Sequence, residues 1–354
     1  MPIVGENIMR EGIKMYNSCS NTLSDLSEQE MWELMLNAEP FHTSVWSTSS
    51  LLNLSGITVF VKKIPLTDIE RLPNNFRSTK NIFELPTYYQ YGVGSAGFGA
   101  WRELASHLMT TDWVLSGKCN HFPILYHWRV VPRDKPTLMN NVESDRLERD
   151  VAYWEGSDTI RERLVASQNA SAHIVLFLEY IPQNLYQWLA EQLSAGENVE
   201  QAIDMVESAL KATTDFMISQ DFIHFDAHLE NILADGKQLY FSDFGLSLSK
   251  EFDLSLEEIA FFDKHRSYDR CSTIVNLLHC FMTYSLDRSQ WKDAHLHEYL
   301  NGEYGKISPA ITPTVNRYAP IALIMADFYQ SMIKKSKLTL YPNKDLEKLL
   351  KKVD

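Results

Sequence analysis

The sequence predicts an α+β chain in two parts, an antiparallel sheet in the first half and mainly helices in the second. Three observations lead there. Residues 41 to 64 read as strands broken by Ser55-Gly56, a pair suited to a hairpin turn. Residues 203 to 218 and Cys271 to Phe281 carry apolar side chains at helical spacing. Between those helices, Phe222 to Gly245 gathers acids, an amide and two histidines on what reads as a hairpin.

Length and composition set the frame. With 354 residues, 45% of them hydrophobic, the chain can bury a sizeable core, and its length suggests two domains or lobes. A net charge of −13 and a pI near 5.3 argue against binding nucleic acid through phosphate neutralisation. The four cysteines show no metal spacing, and so few thiols in so long a chain fit a reducing compartment. Charged residues Glu6, Arg10, Glu11 and Lys14 exclude a signal peptide in the first fifteen residues. The most apolar window, Ile174 to Leu178, is far below the roughly 20 residues that span a bilayer. A cytoplasmic protein is expected, with no membrane and no nucleic acid as partner.

Taken in order, residues 1–40 read as a helical extension. Ser27-Glu28-Gln29-Glu30 is a capping-box pattern, and Met31, Trp32, Leu34 and Met35 follow as an apolar face. Candidate strands run over His42 to Trp46, Leu51 to Leu54 and Ile57 to Ile64, with Ser47 to Ser50 as the loop between the first two. Gly92 to Gly99 is glycine-rich and precedes a helix with Trp101, Leu104, Ala105, Leu108 and Met109 on one face. It suits a mobile loop, a hinge or a phosphate-binding turn. Phe122 to Val131 reads as a strand, Val142 to Trp154 and Thr159 to Ala166 as helices, and His173 to Pro182 as a buried strand. Pro320 is placed at a helix start, and the mixed-charge stretch Asp345 to Lys352 as a solvated helix.

The stretch from Phe222 to Gly245 carries the chemistry. Phe222-Ile223 leads into a polar turn with His224, Asp226, His228 and Asn231. Asp235-Gly236 then turns the chain back, and Tyr240-Phe241 delivers Asp243 beside Asp226 and Asn231. Two acids and an amide make a set of hard oxygen ligands, which suits Mg²⁺ working with substrate phosphates.

This stretch resembles the catalytic core of the protein kinase superfamily, whose pattern is His-x-Asp, four residues, Asn, then Asp-Phe-Gly after a short hairpin. His224, Asp226, Asn231 and Asp243-Phe244-Gly245 fill those places. The resemblance implies a two-lobed kinase-like fold, with a small lobe over 41–181 and a large lobe with C-terminal helices over 182–354. It implies an ATP- and Mg²⁺-dependent enzyme in which Asp226 takes the acceptor proton and Asn231 and Asp243 hold the metal. His228 stands where conventional Ser/Thr protein kinases carry Lys, a form more similar to the aminoglycoside and choline kinase branch and to several atypical protein kinases.

Further residues follow from the same resemblance. Val59-Phe60-Val61-Lys62 is similar to the family's Val-Ala-Ile-Lys, so Lys62 would contact the nucleotide phosphates and Glu103 would pair with it. Period two puts Phe60 and Lys62 on one face and Val61 and Lys63 on the other, which leaves Lys63 as the alternative. The loop over the phosphates has no glycine, and Ser47 and Ser49 would serve there instead. The Glu179 carbonyl and the Ile181 N–H would bond the adenine edge. A protein serine or threonine is the first expectation for the acceptor. A small-molecule hydroxyl is the second, and a nucleotide-binding module without turnover the third.

Overall fold

The computed structural model describes residues 4–43, 48–133, 141–196, 198–285, 298 and 307–353. Two compact units divide the chain: Met1–Pro86 with Ala96–Ile181, and Thr87–Ser95 with Pro182–Asp354. The architecture is α+β. No helix among the described residues is long and apolar enough to cross a membrane. All four cysteines are free thiols.

The first unit is built on a five-stranded antiparallel sheet. Its strands are β1 (Glu39–Thr43), β2 (Thr48–Leu54), β3 (Ile57–Leu66), β4 (Leu125–Pro132) and β5 (Ala172–Glu179), in the order β1-β2-β3-β5-β4. Ser55 and Gly56 take φ of 53° and 90°, the pair of positive values that a tight hairpin between β2 and β3 needs. Thr48, Ser49 and Ser50 therefore correct one expectation. They belong to β2, opposite Lys63, Lys62 and Val61, rather than to a loop. Cross-strand pairing and the β-branched Thr48 outweigh the polar, loop-like composition. Ser47 lies outside the described residues.

Period two along β3 and β5 gives the sheet two apolar faces. Val59, Val61, Val175 and Phe177 pack with Cys19, Leu23 and Met31 of helices α1 (Val4–Asp25) and α2 (Glu28–Leu36). The expected extension thus shares the core of the first unit through residues 16–38. The Ser27–Glu30 capping box forms in both directions. Only Met31 of the expected face is fully buried, with Leu34 and Met35 partly so; Trp32 is 45% exposed. Arg129 of β4 donates to the carbonyls of Leu23 and Leu26, which the end of α1 leaves without helical partners. On the other face, Ile64, Leu66, Ile174, Leu176 and Leu178 pack with Ala100, Trp101 and Leu104 of α3 (Ala100–Leu115). Helices α4 (Asn141–Tyr153) and α5 (Asp158–Gln168) complete the unit around buried Trp154, Ile160 and Leu164.

The second unit is mainly helical. It holds α6 (Leu185–Ala195), α7 (Val199–Ser219), α8 (Leu256–Lys264), α9 (Tyr268–Ser285), α10 (Thr312–Lys334) and α11 (Asn343–Val353). Short strands carry its functional turns: β6 (Gln183–Asn184), β7 (Phe222–Ile223), β8 (Ile232–Ala234), β9 (Leu239–Phe241) and β10 (Leu248–Ser249). β8 and β9 form the hairpin that Asp235-Gly236 announces, and β7 pairs with β10. Pro320 sits inside α10; the helix starts at Thr312-Pro313, where proline's missing N–H costs nothing. α11 is amphipathic rather than fully solvated, with Leu346 and Leu350 buried.

Residues 87–95 belong to this second unit although 86 residues of the first precede them. Gln90 donates to the carbonyl of Leu246, and Tyr91 Oη lies 2.6 Å from His265 Nε2. Tyr91 is buried among Phe225, Phe261, Tyr268 and Phe328.

Candidate functional site

In the first unit the structure pairs two of the expected residues. Lys62 faces the α3 side of β3, and its Nζ lies 2.7 Å from Glu103 Oε1. Both are buried, at 8% and 5% exposure, so each charge needs the other. Lys63 points to the opposite face, where burial lowers its pKa. Ser49 is the cross-strand neighbour of Lys62 on β2.

What aims Glu103 is a residue the pattern reading passed over. Glu70 is 2% exposed; its carboxylate accepts from the Ala100 N–H at the start of α3 at 2.8 Å and from Thr67. Its carbonyl accepts from Trp101 Nε1 at 2.9 Å. An acid at a helix N-terminus satisfies orphan N–H groups and the helix dipole together. Glu70 thereby fixes the first turn of α3, which carries Glu103. The available signal was Thr67-x-x-Glu70, a capping-box spacing.

Glu179 ends β5. Its N–H donates to the Ile124 carbonyl, and its carboxylate accepts from the Ile124 N–H. Ile181, half-buried, closes the first unit two residues on.

In the second unit the turn after β7 brings the remaining residues together. Asn231 Nδ2 donates to the Asp226 carbonyl at 3.1 Å and to its Oδ2 at 2.9 Å, which holds the carboxylate in one orientation and turns the Asn231 amide so that Oδ1 is its other polar atom. Ser242 donates through N–H and Oγ to the Asn231 carbonyl, so Asp243 follows directly beside Asn231. His228 Nε2 lies 3.9 Å from Asp226 Oδ1, and Nδ1 lies 4.0 Å from Glu230 Oε2.

The turn is strained and then clamped. Phe225 and Asp243 both take φ of 62°, a left-handed value that is unfavourable for a bulky residue such as Phe225. Asp269 of α9 holds the strained turn from below: its oxygens accept from the His224 N–H at 2.6 Å and the Phe225 N–H at 2.9 Å. Burial raises its pKa to about 7, against those two donors and helped by the nearby Asp226 charge. His224 donates from Nε2 to the Ser242 carbonyl at 2.9 Å, which leaves Nδ1 to accept from the Asp226 N–H at 3.3 Å. Phe244 packs its ring 5.1 Å from the His224 ring.

Gly92 opens the glycine-rich stretch expected as a mobile loop, a hinge or a phosphate-binding turn, and the structure sets it against Asp226. A Cβ there would fall 2.1 Å from Asp226 Oδ1 and 3.2 Å from the Phe225 carbonyl. Segment 87–95 therefore lies directly against the Asp226 carboxylate, and Oδ1 fills the space a side chain at position 92 would take. No local period announces a contact between positions so far apart in sequence.

The donor set suits a hard divalent cation. Asn231 Oδ1 and the Asp243 carboxylate offer hard oxygen donors, the type that Mg²⁺ ordinarily takes from one or two carboxylates with substrate phosphates completing the shell. Among the described residues no three His, Cys, Asp or Glu side chains form an all-protein metal cage.

The buried histidines give a pH prediction. Burial lowers the pKa of His224, His265 and His173 from 6.5 to about 4. An unfolded chain takes up these protons below pH 6.5 and the folded chain does not. Stability from these groups is thus full above pH 6.5 and is lost as the pH falls toward 4, at on the order of 1.4 kcal/mol per pH unit for each. Asp269 has the opposite sign, since a raised carboxyl pKa favours the folded state as the pH falls from 7 toward 3.8. The net expectation is a urea midpoint that drops between pH 7 and pH 5. A flat midpoint across that window would show that these imidazoles titrate freely in the folded state.

No protein-family model matches the chain, and no curated protein matches it in sequence.

Proposed function

We propose that the chain is a kinase-like, ATP- and Mg²⁺-dependent phosphotransferase acting on an alcohol group. One observation carries the reading: Asp226 is oriented by Asn231, on a clamped turn that also brings up Asp243. A fixed carboxylate beside a hard-oxygen pair can take a hydroxyl proton while the pair holds a metal against phosphates. The buried Lys62–Glu103 pair supports it, because a strand lysine held by a helix glutamate is the family's device for the α- and β-phosphates. The α+β architecture, with its antiparallel sheet and helical second unit, is compatible with the two-lobed fold.

In this reading each residue has one task. Lys62 neutralises phosphate charge, and Glu103 keeps its ammonium in place. Asn231 and Asp243 would hold Mg²⁺, whose bound charge offsets that of the phosphates. Asp226 orients the acceptor hydroxyl and receives its proton. His228, beside Asp226, faces the same reacting region. Ser49 on β2 is left as a polar neighbour of Lys62.

The test is a titration of Mg²⁺ and ATP by calorimetry on the intact chain. Asp243→Ala is expected to weaken Mg-ATP binding more than Asn231→Ala, because a carboxylate is the stronger ligand for a hard cation. Normal Mg-ATP binding by Asp243→Ala would place the metal elsewhere. Absence of Mg-ATP binding in the wild type would remove the reading.

A further inference from the structure

We propose that the acceptor is a small polyhydroxy compound, uncharged or cationic, held in a cavity of the second unit that opens on Asp226. The inference rests on the phosphotransferase reading and adds the substrate class to it. The cavity has a volume of about 580 Å³, inside the roughly 300–1,000 Å³ typical of small-molecule sites. The catalytic turn, α9, α10 and segment 87–95 all contribute to its lining.

The lining chemistry selects the occupant. Its acidic groups are Asp226 and Glu230, and no lysine or arginine is among its lining residues. A phosphorylated or carboxylated acceptor would meet two carboxylates, with the imidazoles of His228 and His279 in the same lining but no permanent cation to offset its charge. Hydroxyl and amide groups supply further polar surface. Tyr329 Oη lies 3.0 Å from Tyr268 Oη and 3.4 Å from Ser272 Oγ, and Asn276 Nδ2 donates to the Ser272 carbonyl at 2.9 Å. Burial raises the pKa of both tyrosines, Tyr329 to about 12, so their hydroxyls stay protonated. Such groups recognise hydroxyls, and aliphatic residues of α9 and α10 offer a non-polar surface to a carbon skeleton.

The flanks of Asp226 point the same way. Oδ2 is engaged by Asn231, and Oδ1 abuts Gly92. Segment 87–95 packs against this side of the carboxylate and narrows the room beside it for an extended chain. A compact acceptor in the cavity meets no such obstacle. In the transfer, the acceptor oxygen forms a bond to the γ-phosphorus of ATP. The bond from that phosphorus to the β,γ-bridging oxygen breaks, and its electron pair leaves with ADP. The hydroxyl proton passes to the Asp226 carboxylate.

The experiment uses γ-labelled Mg-ATP, the intact chain and a cell extract split by dialysis. Its low-mass part is passed over an anion exchanger. Label is expected on a compound from the low-mass flow-through. Ala326→Trp, which fills the cavity from α10, and Asn276→Leu, which keeps its volume but removes hydrogen bonds, should each raise the KM for that compound by about tenfold or more. Circular dichroism and thermal midpoints verify that each variant is folded, and the second stands if the first is not. Label only on retained proteins, or only on compounds that bound the exchanger, overturns the proposal. So does ATP hydrolysis with water as sole acceptor, or an unchanged KM in both variants. If wild type neither binds nor consumes Mg-ATP, the phosphotransferase reading itself falls, an outcome separate from all of these.

Discussion

Asp226→Asn is expected to lower the turnover number by about 10³-fold while Mg-ATP still binds. The substitution keeps the shape of the side chain and an oxygen for Asn231 Nδ2 to reach, so the turn should hold. What it removes is basicity: an amide cannot take the acceptor proton. Asp226 is only partly buried. The clamp on the strained turn comes from Asp269, through the His224 and Phe225 N–H groups, and is untouched. The measurement pairs a single-turnover labelled-ATP assay with calorimetry of Mg-ATP binding. A rate near that of the wild type would take Asp226 out of the chemistry and leave the second unit with a metal site at most.

The parts of this site that are local in sequence are legible in it. His224, Asp226 and Asn231 lie on the turn between β7 and β8, Asp243 just after β9, and the turn residues Asp235-Gly236 fix how the chain returns. Lys62 and Glu103 are farther apart; period two along β3 puts Lys62 and Lys63 on opposite faces, and the choice of Lys62 and Glu103 rests on the resemblance. The Ser/Thr run at 48–50 misleads because composition favours a loop while strand pairing decides its state. Trp32 misleads because a one-turn apolar cluster does not say which side chain faces the sheet, and the three-residue spacing of Met31 and Leu34 wins.

What the sequence hides are long-range contacts made by unremarkable residues. For Glu70 the Thr67-x-x-Glu70 spacing signals a local cap, but its bonds to Ala100 and Trp101, thirty residues on, are what seat α3. Residues 87–95 run into the glycine-rich stretch read as a mobile loop, a hinge or a phosphate-binding turn before a helix. Their place in the second unit depends on Tyr91 entering an aromatic cluster built from α8, α9 and α10, which no pattern within nine residues encodes. The Tyr91 to His265 hydrogen bond fixes the segment further. His265 Nδ1 donates to the Phe261 carbonyl at 2.6 Å, so Nε2 is left to accept from the tyrosine.

Gly92→Ala is the sharper test of that segment, with an expected loss of about 10²-fold in turnover and little change in stability. The backbone at position 92 is not among the positive-φ residues, so alanine meets no conformational penalty there. The only obstacle is the new methyl group, which would fall 2.1 Å from Asp226 Oδ1. Either the carboxylate turns away or segment 91–93 lifts, and both disturb the orientation that Asn231 imposes. Displacing a reacting group by about 1 Å is enough to cost two orders of magnitude. A double-mutant cycle separates this from a general defect. In the Asp226→Ala background the methyl occupies space the carboxylate has left, so Gly92→Ala should there change neither residual turnover nor the urea midpoint. The two effects would then be strongly non-additive, as expected for groups in direct contact. Additive losses, or full activity in Gly92→Ala alone, would show that segment 87–95 does not position Asp226.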